Sequence, residues 1–169
     1  MVAGSLTWTI EMVPGGQRVI LAGRVDETSD LDRLQSLRGV VTLDLAGVTR
    51  FNSVGVFRWV SFLGGLGDVT TLTFERCSVA FVAQMNMMPG LLGSGHVRSF
   101  YVPLSCLKCS TEHSQEELVE VTPELKLRGW KALQFNCGVC TAVLSLDDIP
   151  ERYFAFLSDR GSGSEREAE

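Results

Sequence analysis

Leu6, Trp8, Ile10 and Met12 alternate with Thr7, Thr9 and Glu11, the period-two pattern of a strand with one buried face. Pro14, Gly15, Gly16 and Gln17 supply a turn, and residues 18–25 read as the returning strand of a hairpin. Thr28, Ser29 and Asp30 can cap a helix carrying Leu31, Leu34 and Leu37 and ending at Gly39. Residues 40–48 form an apolar, β-branched run of strand length, after which the period changes. Val56, Val60 and Leu63 make one helical stripe, with Trp59, Phe62 and Leu66 beside it, and Asn52 and Ser53 stand where the helix N-cap belongs. Gly64, Gly65 and Gly67 end that helix, and residues 69–74 make another strand. Ser78 then caps a third helix with Val79, Val82, Met85 and Met88 facing inward, Pro89 and Gly90 stop it, and residues 97–102 give a last strand. A hairpin followed by alternating helices and strands predicts an α/β domain over residues 1–102, a mixed sheet with helices packed mainly on one face.

From Pro103 the pattern changes. Residues 117–121, 130–135 and 142–146 are short strand candidates, separated by turns at Cys106–Cys109 and Cys137–Cys140. A β-rich unit over residues 103–157 has too few apolar residues to hold itself together, and metal binding supplies the missing folding energy in units this small. In a reducing compartment, two Cys-x-x-Cys pairs read as one tetrahedral zinc site, Cys106, Cys109, Cys137 and Cys140. Four thiolates leave no open coordination position, so the zinc is expected to be structural. The unit looks like a zinc ribbon, although Ser110 and Thr141 stand where zinc knuckles often carry glycine. His113 lies near Cys109 and could replace a cysteine, with surface exposure the simpler fate; His96 reads as a loop residue and Cys77 as a small buried one. Tyr153, Phe154 and Phe156 are expected to pack back on the ribbon or the sheet, and residues 158–169, rich in Gly, Ser and Glu, to be disordered.

Composition narrows the function. A chain of 169 residues, 45% of them hydrophobic, suits one ordinary domain with a small appendage. The net charge of -5 comes without a basic cluster, so nucleic acid is not an expected partner. No apolar run reaches the ~20 residues that span a bilayer, and the N-terminal residues lack a signal-peptide pattern, which points to the cytoplasm. Asp44 interrupts an apolar run with no catalytic partner placed by motif. There is no phosphate-binding glycine loop, Ser/His/Asp order or Cys/His nucleophile signature. A non-enzymatic protein is expected.

Ser53 is the candidate for regulation, since the start of a helix accepts added negative charge. Leu43-Asp44-Leu45-Ala46-Gly47-Val48 followed by Phe51-Asn52-Ser53-Val54-Gly55 resembles the signature of STAS domains, the anti-sigma factor antagonist fold. The usual form is an apolar strand, Asp-Leu-Ser-Gly-Val, a short spacer and Asp-Ser-x-Gly. The end of the second strand, Gly23 to Glu27, is similar to that family's Gly-x-Leu-Asp, and the likeness covers roughly residues 6–102. The resemblance implies that Ser53 is a phosphoacceptor for a histidine-kinase-like ATPase; Asn52 stands where the family most often has Asp. It further implies partner switching: the surface of Asn52, Ser53, Val54, Gly55 and Val56 binds a serine kinase or anti-sigma factor, and phosphorylation weakens that complex. The alternative is a constitutive scaffold or structural subunit of a larger assembly, a use of the fold known in lipid-transport ATPase complexes.

Overall fold

The computed structural model describes residues 4–109 and 115–157. The hairpin is formed by β1 (Thr7–Val13) and β2 (Gly16–Val25), paired antiparallel with Trp8 opposite Leu21 and Ile10 opposite Val19. Then come β3 (Gly39–Phe51), α1 (Ser53–Gly64), β4 (Val69–Glu75), α2 (Val79–Met87) and β5 (His96–Val97). The five strands make one mixed sheet in the order β1-β2-β3-β4-β5, parallel from β2 onward. Alternation along the strands decides its two faces. Val19, Leu21, Val41, Leu43, Leu72 and Phe74 are buried beneath α1 and α2, while the intervening Arg18, Thr42, Asp44, Thr73 and Glu75 give the other face a polar character. From the helices, Trp59 and Phe62 of α1 and Phe81, Val82 and Met85 of α2 fill the same core. The Phe81 ring stacks on Phe74 with centroids 5.6 Å apart and meets Trp59 edge-on, also at 5.6 Å.

The segment expected to be a helix over residues 31–37 is a single 3-10 turn, Asp32–Ser36, although Leu31, Leu34 and Leu37 are buried as the pattern required. Threefold spacing stacks side chains on one edge of a 3-10 helix, whereas an α-helix needs the i+4 positions as well. Ser29 does not cap it: its Oγ accepts from the Asp26 amide at 2.8 Å and closes the turn after β2.

The expected strand over residues 97–102 is divided between two sheets. β5 completes the first, and after Arg98 the chain enters β6 (Ser99–Ser105), the centre of a second, three-stranded sheet of order β7-β6-β8. β7 is Gln115–Glu120 and β8 is Ser145–Leu146. β6 therefore passes through the 102/103 position where the sequence pattern changes. Pro103 is tolerated in a central strand because it faces β8 just past that strand's end: its carbonyl accepts from the Asp147 amide at 3.0 Å, and the missing N–H costs only the bond that would return to the Asp147 carbonyl.

Residues 130–135 hold no strand but a 3-10 turn, Trp130–Ala132, whose indole stacks on Phe154 with centroids 5.7 Å apart. Before it lies an unexpected helix, α3 (Pro123–Arg128), started by the Thr122 Oγ1 cap on the Leu125 amide and by proline in its first turn. Of residues 142–146, only β8 and an isolated bridge between Asn136 and Val143 are extended pairs. A short helix, α4 (Pro150–Tyr153), brings the last aromatics back onto both sheets' elements. Tyr153 donates from its hydroxyl to the Tyr101 carbonyl at 2.5 Å, and Asn86 of α2 bonds the Tyr153 carbonyl and the Phe156 amide. One continuous hydrophobic core thus runs from Val19 to Leu157. The tail over residues 158–169 and His113 lie outside the described residues.

Candidate functional site

β3 delivers its last residue, Phe51, into the core, and Asn52 turns the chain into α1 with extended backbone at φ -108 and ψ 174. Asn52 is the N-cap: its Oδ1 accepts from the Gly55 amide at 2.7 Å. Its other amide atom is also used, Nδ2 donating to Glu27 Oε2 at 2.7 Å, which holds the Glu27 carboxyl below its ordinary value. An aspartate at this position would cap the helix equally well but would set a second carboxylate against Glu27, a physical reason for asparagine here. Ser53 is then the first helical residue and is exposed, beside the unsatisfied N–H groups of the first turn.

Of the five residues expected to form a docking surface, Ser53 and Val54 are exposed and Asn52 is half-buried, whereas Gly55 and Val56 are buried. Gly55 is a packing requirement, since a Cβ there would lie 2.0 Å from the Val25 carbonyl oxygen. Ser53 opens on a groove of about 560 Å³ between the start of α1 and the end of α2, lined also by Arg50, Val56, Gln84 and Met87. Met87 in that lining is 75% exposed, and on α1 itself Phe57 is 73% and Val54 48% exposed. The helical stripes select the buried face and so pass over Phe57, whereas Val54 stands among the residues expected on the docking surface. Met88, expected inward, ends α2 in extended conformation and is exposed.

Beside the helix start, Asp26 is fully buried. Thr28 Oγ1, at 2.6 Å, then Arg24 Nε, at 2.5 Å, and the Thr28 amide hold its carboxyl down to about 2. Asp44 lies buried under two arginines, with Arg18 Nη2 at 2.6 Å and Arg76 reaching it through Nε and Nη2. Burial pushes this carboxyl up, but the bonds from Arg76, the Ala46 amide and Arg18 outweigh it and leave it below its ordinary value. The two arginines tie it to β2 and to the residue that follows β4. Cys77 is buried, and burial pushes its thiol up, away from reactivity. His96 belongs to β5 and is exposed, with Nε2 3.3 Å from the Thr73 hydroxyl.

The second site gathers all four paired cysteines. Their sulfur atoms lie within 4.8 Å of one another, with Cys106 and Cys140 Sγ 3.4 Å apart and Cys109 and Cys137 Sγ 3.6 Å apart. A disulfide bond is about 2.05 Å long, so these are not bonded pairs. Four sulfurs about 2.3 Å from one tetrahedral metal ion stand about 3.8 Å from each other, close to the spacing found. The two turns are built alike. Cys106 accepts from the amides of Cys109 and Lys108, and Cys137 from those of Cys140 and Val139, which carries Cys106 down to about 6 and also lowers Cys137. Cys140 is pulled down by the Ala142 amide, but its three thiol neighbours push it up to about 11. Packed this closely, four thiolates need a cation among them, and the donor set fits a metal ion. Cys106 and Cys137 are buried, and Cys109 and Cys140 half-buried. β6 ends immediately before Cys106, while the Cys137 amide bonds the Ala142 carbonyl at 2.8 Å and the Cys137 carbonyl accepts from the Thr141 amide at 2.9 Å. Thr141 takes a φ of 58, the left-handed conformation a knuckle glycine would supply.

Among the described residues, no helix is long and apolar enough to cross a membrane. Comparisons with protein-family models, curated proteins and solved structures found no match.

Proposed function

We propose that this chain is a non-enzymatic regulatory protein of the anti-sigma factor antagonist kind, a STAS-like domain joined to a zinc-ribbon-like unit and acting in the cytoplasm. Its partner is a serine kinase of the histidine-kinase-like ATPase type or an anti-sigma factor, bound through the surface around Ser53. Phosphorylation of Ser53 weakens that complex and releases the competing partner. The observation that carries this reading is the position of Ser53, exposed in the first turn of α1 on a groove lined also by Arg50, Val56, Gln84 and Met87. A phosphate there adds about -1.5 to -2 charges at the positive end of the helix dipole, so it changes the docking surface without disturbing the core. The four-cysteine cluster holds zinc, for which thiolates in tetrahedral array are the usual structural ligands.

Co-precipitation from native lysate tests the switch, with the wild-type chain and a Ser53→Glu variant as baits. The expected outcome is an ATPase kinase or anti-sigma factor bound to wild type and lost from the variant.

A second reading, a constitutive scaffold or structural subunit, is favoured by one feature: β6 and the shared core join the two units into one body. Under that reading the same partners come down with both baits and stay bound in high salt.

A further inference from the structure

β1 is an edge strand, paired with β2 on one side and with no strand on the other among the described residues. Its free side presents the backbone N–H and C=O groups of alternate residues, a template for a further strand. Folded proteins ordinarily blunt such an edge with a proline, a lysine, a bulge or a very short strand. β1 has none of these. It runs seven residues, Thr7–Val13, in unbroken register with β2, and its one charge is Glu11. The sheet's other edge, β5, is two residues long. The side chains of β1 are as unguarded as its backbone. Trp8, Ile10 and Met12 share the face that carries α1 and α2, but only Trp8 packs on the core. Ile10, opposite the buried Val19, is 40% exposed, and Met12 is 76% exposed. The apolar face thus continues past the cover of the helices.

We infer that the protein forms a twofold dimer in which β1 pairs antiparallel with β1 of a second copy about an axis at Ile10, joining the two five-stranded sheets into one. The occupant is a second copy because the edge is complementary to itself in its longest register. Pairing over the whole strand puts its midpoint, Ile10, opposite Ile10 of the other copy. The same register sets Trp8 against Met12 on the apolar face and Thr9 against Glu11 on the polar one. The strand's one charge therefore meets a hydroxyl and not its own like. Centring the pair on Glu11 instead would oppose two carboxylates and leave Thr7 and Trp8 without strand partners. In the dimer the free backbone groups of β1 are bonded, and Ile10 and Met12 cover one another across the axis. The inference is independent of the reading of Ser53.

Sedimentation equilibrium of the purified full chain tests this, together with photo-cross-linking between isotope-labelled and unlabelled copies that carry benzoylphenylalanine in place of Met12. The expected result is a dimer whose adducts between copies fall at residues 7–9. Ile10→Lys places two ammonium groups on the axis and should weaken the dimer about tenfold or more, while circular dichroism shows the monomer still folded, since Ile10 lies outside the buried core. Thr9→Lys offers an ammonium group to Glu11 of the second copy and should retain the dimer. A monomer at the highest attainable concentration, a dimer indifferent to Ile10→Lys or lost in Thr9→Lys, adducts outside β1, or open-ended oligomers overturn the inference.

Discussion

Thr141 carries the cost of a position that glycine usually fills. Its φ of 58 is disfavoured for a β-branched residue, because the Cβ crowds the following carbonyl by about 1–2 kcal/mol. Its hydroxyl bonds the Cys140 carbonyl at 2.7 Å, an exposed contact that offsets only part of that strain. Replacing it with glycine removes the strain but adds about 0.5–1 kcal/mol of unfolded-chain entropy, so Thr141→Gly should stabilise the protein by about 0.5 kcal/mol. Denaturant melting with metal bound checks this, and a lower midpoint would speak against the strain. Asn52 answers a different local demand. Its two amide atoms serve the Gly55 amide and the Glu27 carboxylate together, a division of labour that the one-dimensional motif could not display. Glu27 becomes its neighbour only through the end of β2 beside α1.

At the scale of elements, the apolar periodicity placed β2 to β4, α1 and α2 close to where they lie, because each buries one face against the same core, and it placed β1 too, but there only Trp8 packs on the core while Ile10 and Met12, expected on a buried face, are exposed on this edge strand. It was weaker where tertiary contacts decide. Leu31, Leu34 and Leu37 gave the right inward residues for a shorter, tighter turn, and Trp130 has the composition of a strand but is held by its stack on Phe154. The division of residues 97–102 between two sheets had no local signal beyond Pro103. The cysteine spacing was the most direct sign in the second unit, since both turns appear at the expected pairs and converge. Beyond them, residues 136–144 are secured by little more than the bridge between Asn136 and Val143 and a few turn bonds. Metal should therefore bear most on this region. With free zinc near 100 times its Kd, binding contributes about 3 kcal/mol to the folded state. Chelation should abolish hydrogen-exchange protection at Cys137, Thr141 and Leu144 while the amides of β3 and β4 keep theirs. Equal protection with and without chelator would mean that the thiols need no ion.

Across the whole molecule, the parts form one body. α4 and the residues after it tie α2 to β6, and α1 presents Ser53 on the far side of the same core from the polar sheet face. On the proposed reading, a phosphate at Ser53 acts on docking by local electrostatics, with the shared core framing the groove, and needs no conformational change. The sequence motif led to Ser53, but the groove's other wall came from α2, more than one element away, which is why the placing of Met87 and Arg50 beside Ser53 emerged only with the fold. Partner switching has one direct requirement, that the serine be modified where the protein works. Peptide mapping by mass spectrometry of the chain isolated from its own cells should find a fraction of molecules phosphorylated at Ser53 and none in a Ser53→Ala strain. Unmodified Ser53 in every growth state, with the partners still exchanging, would contradict the account.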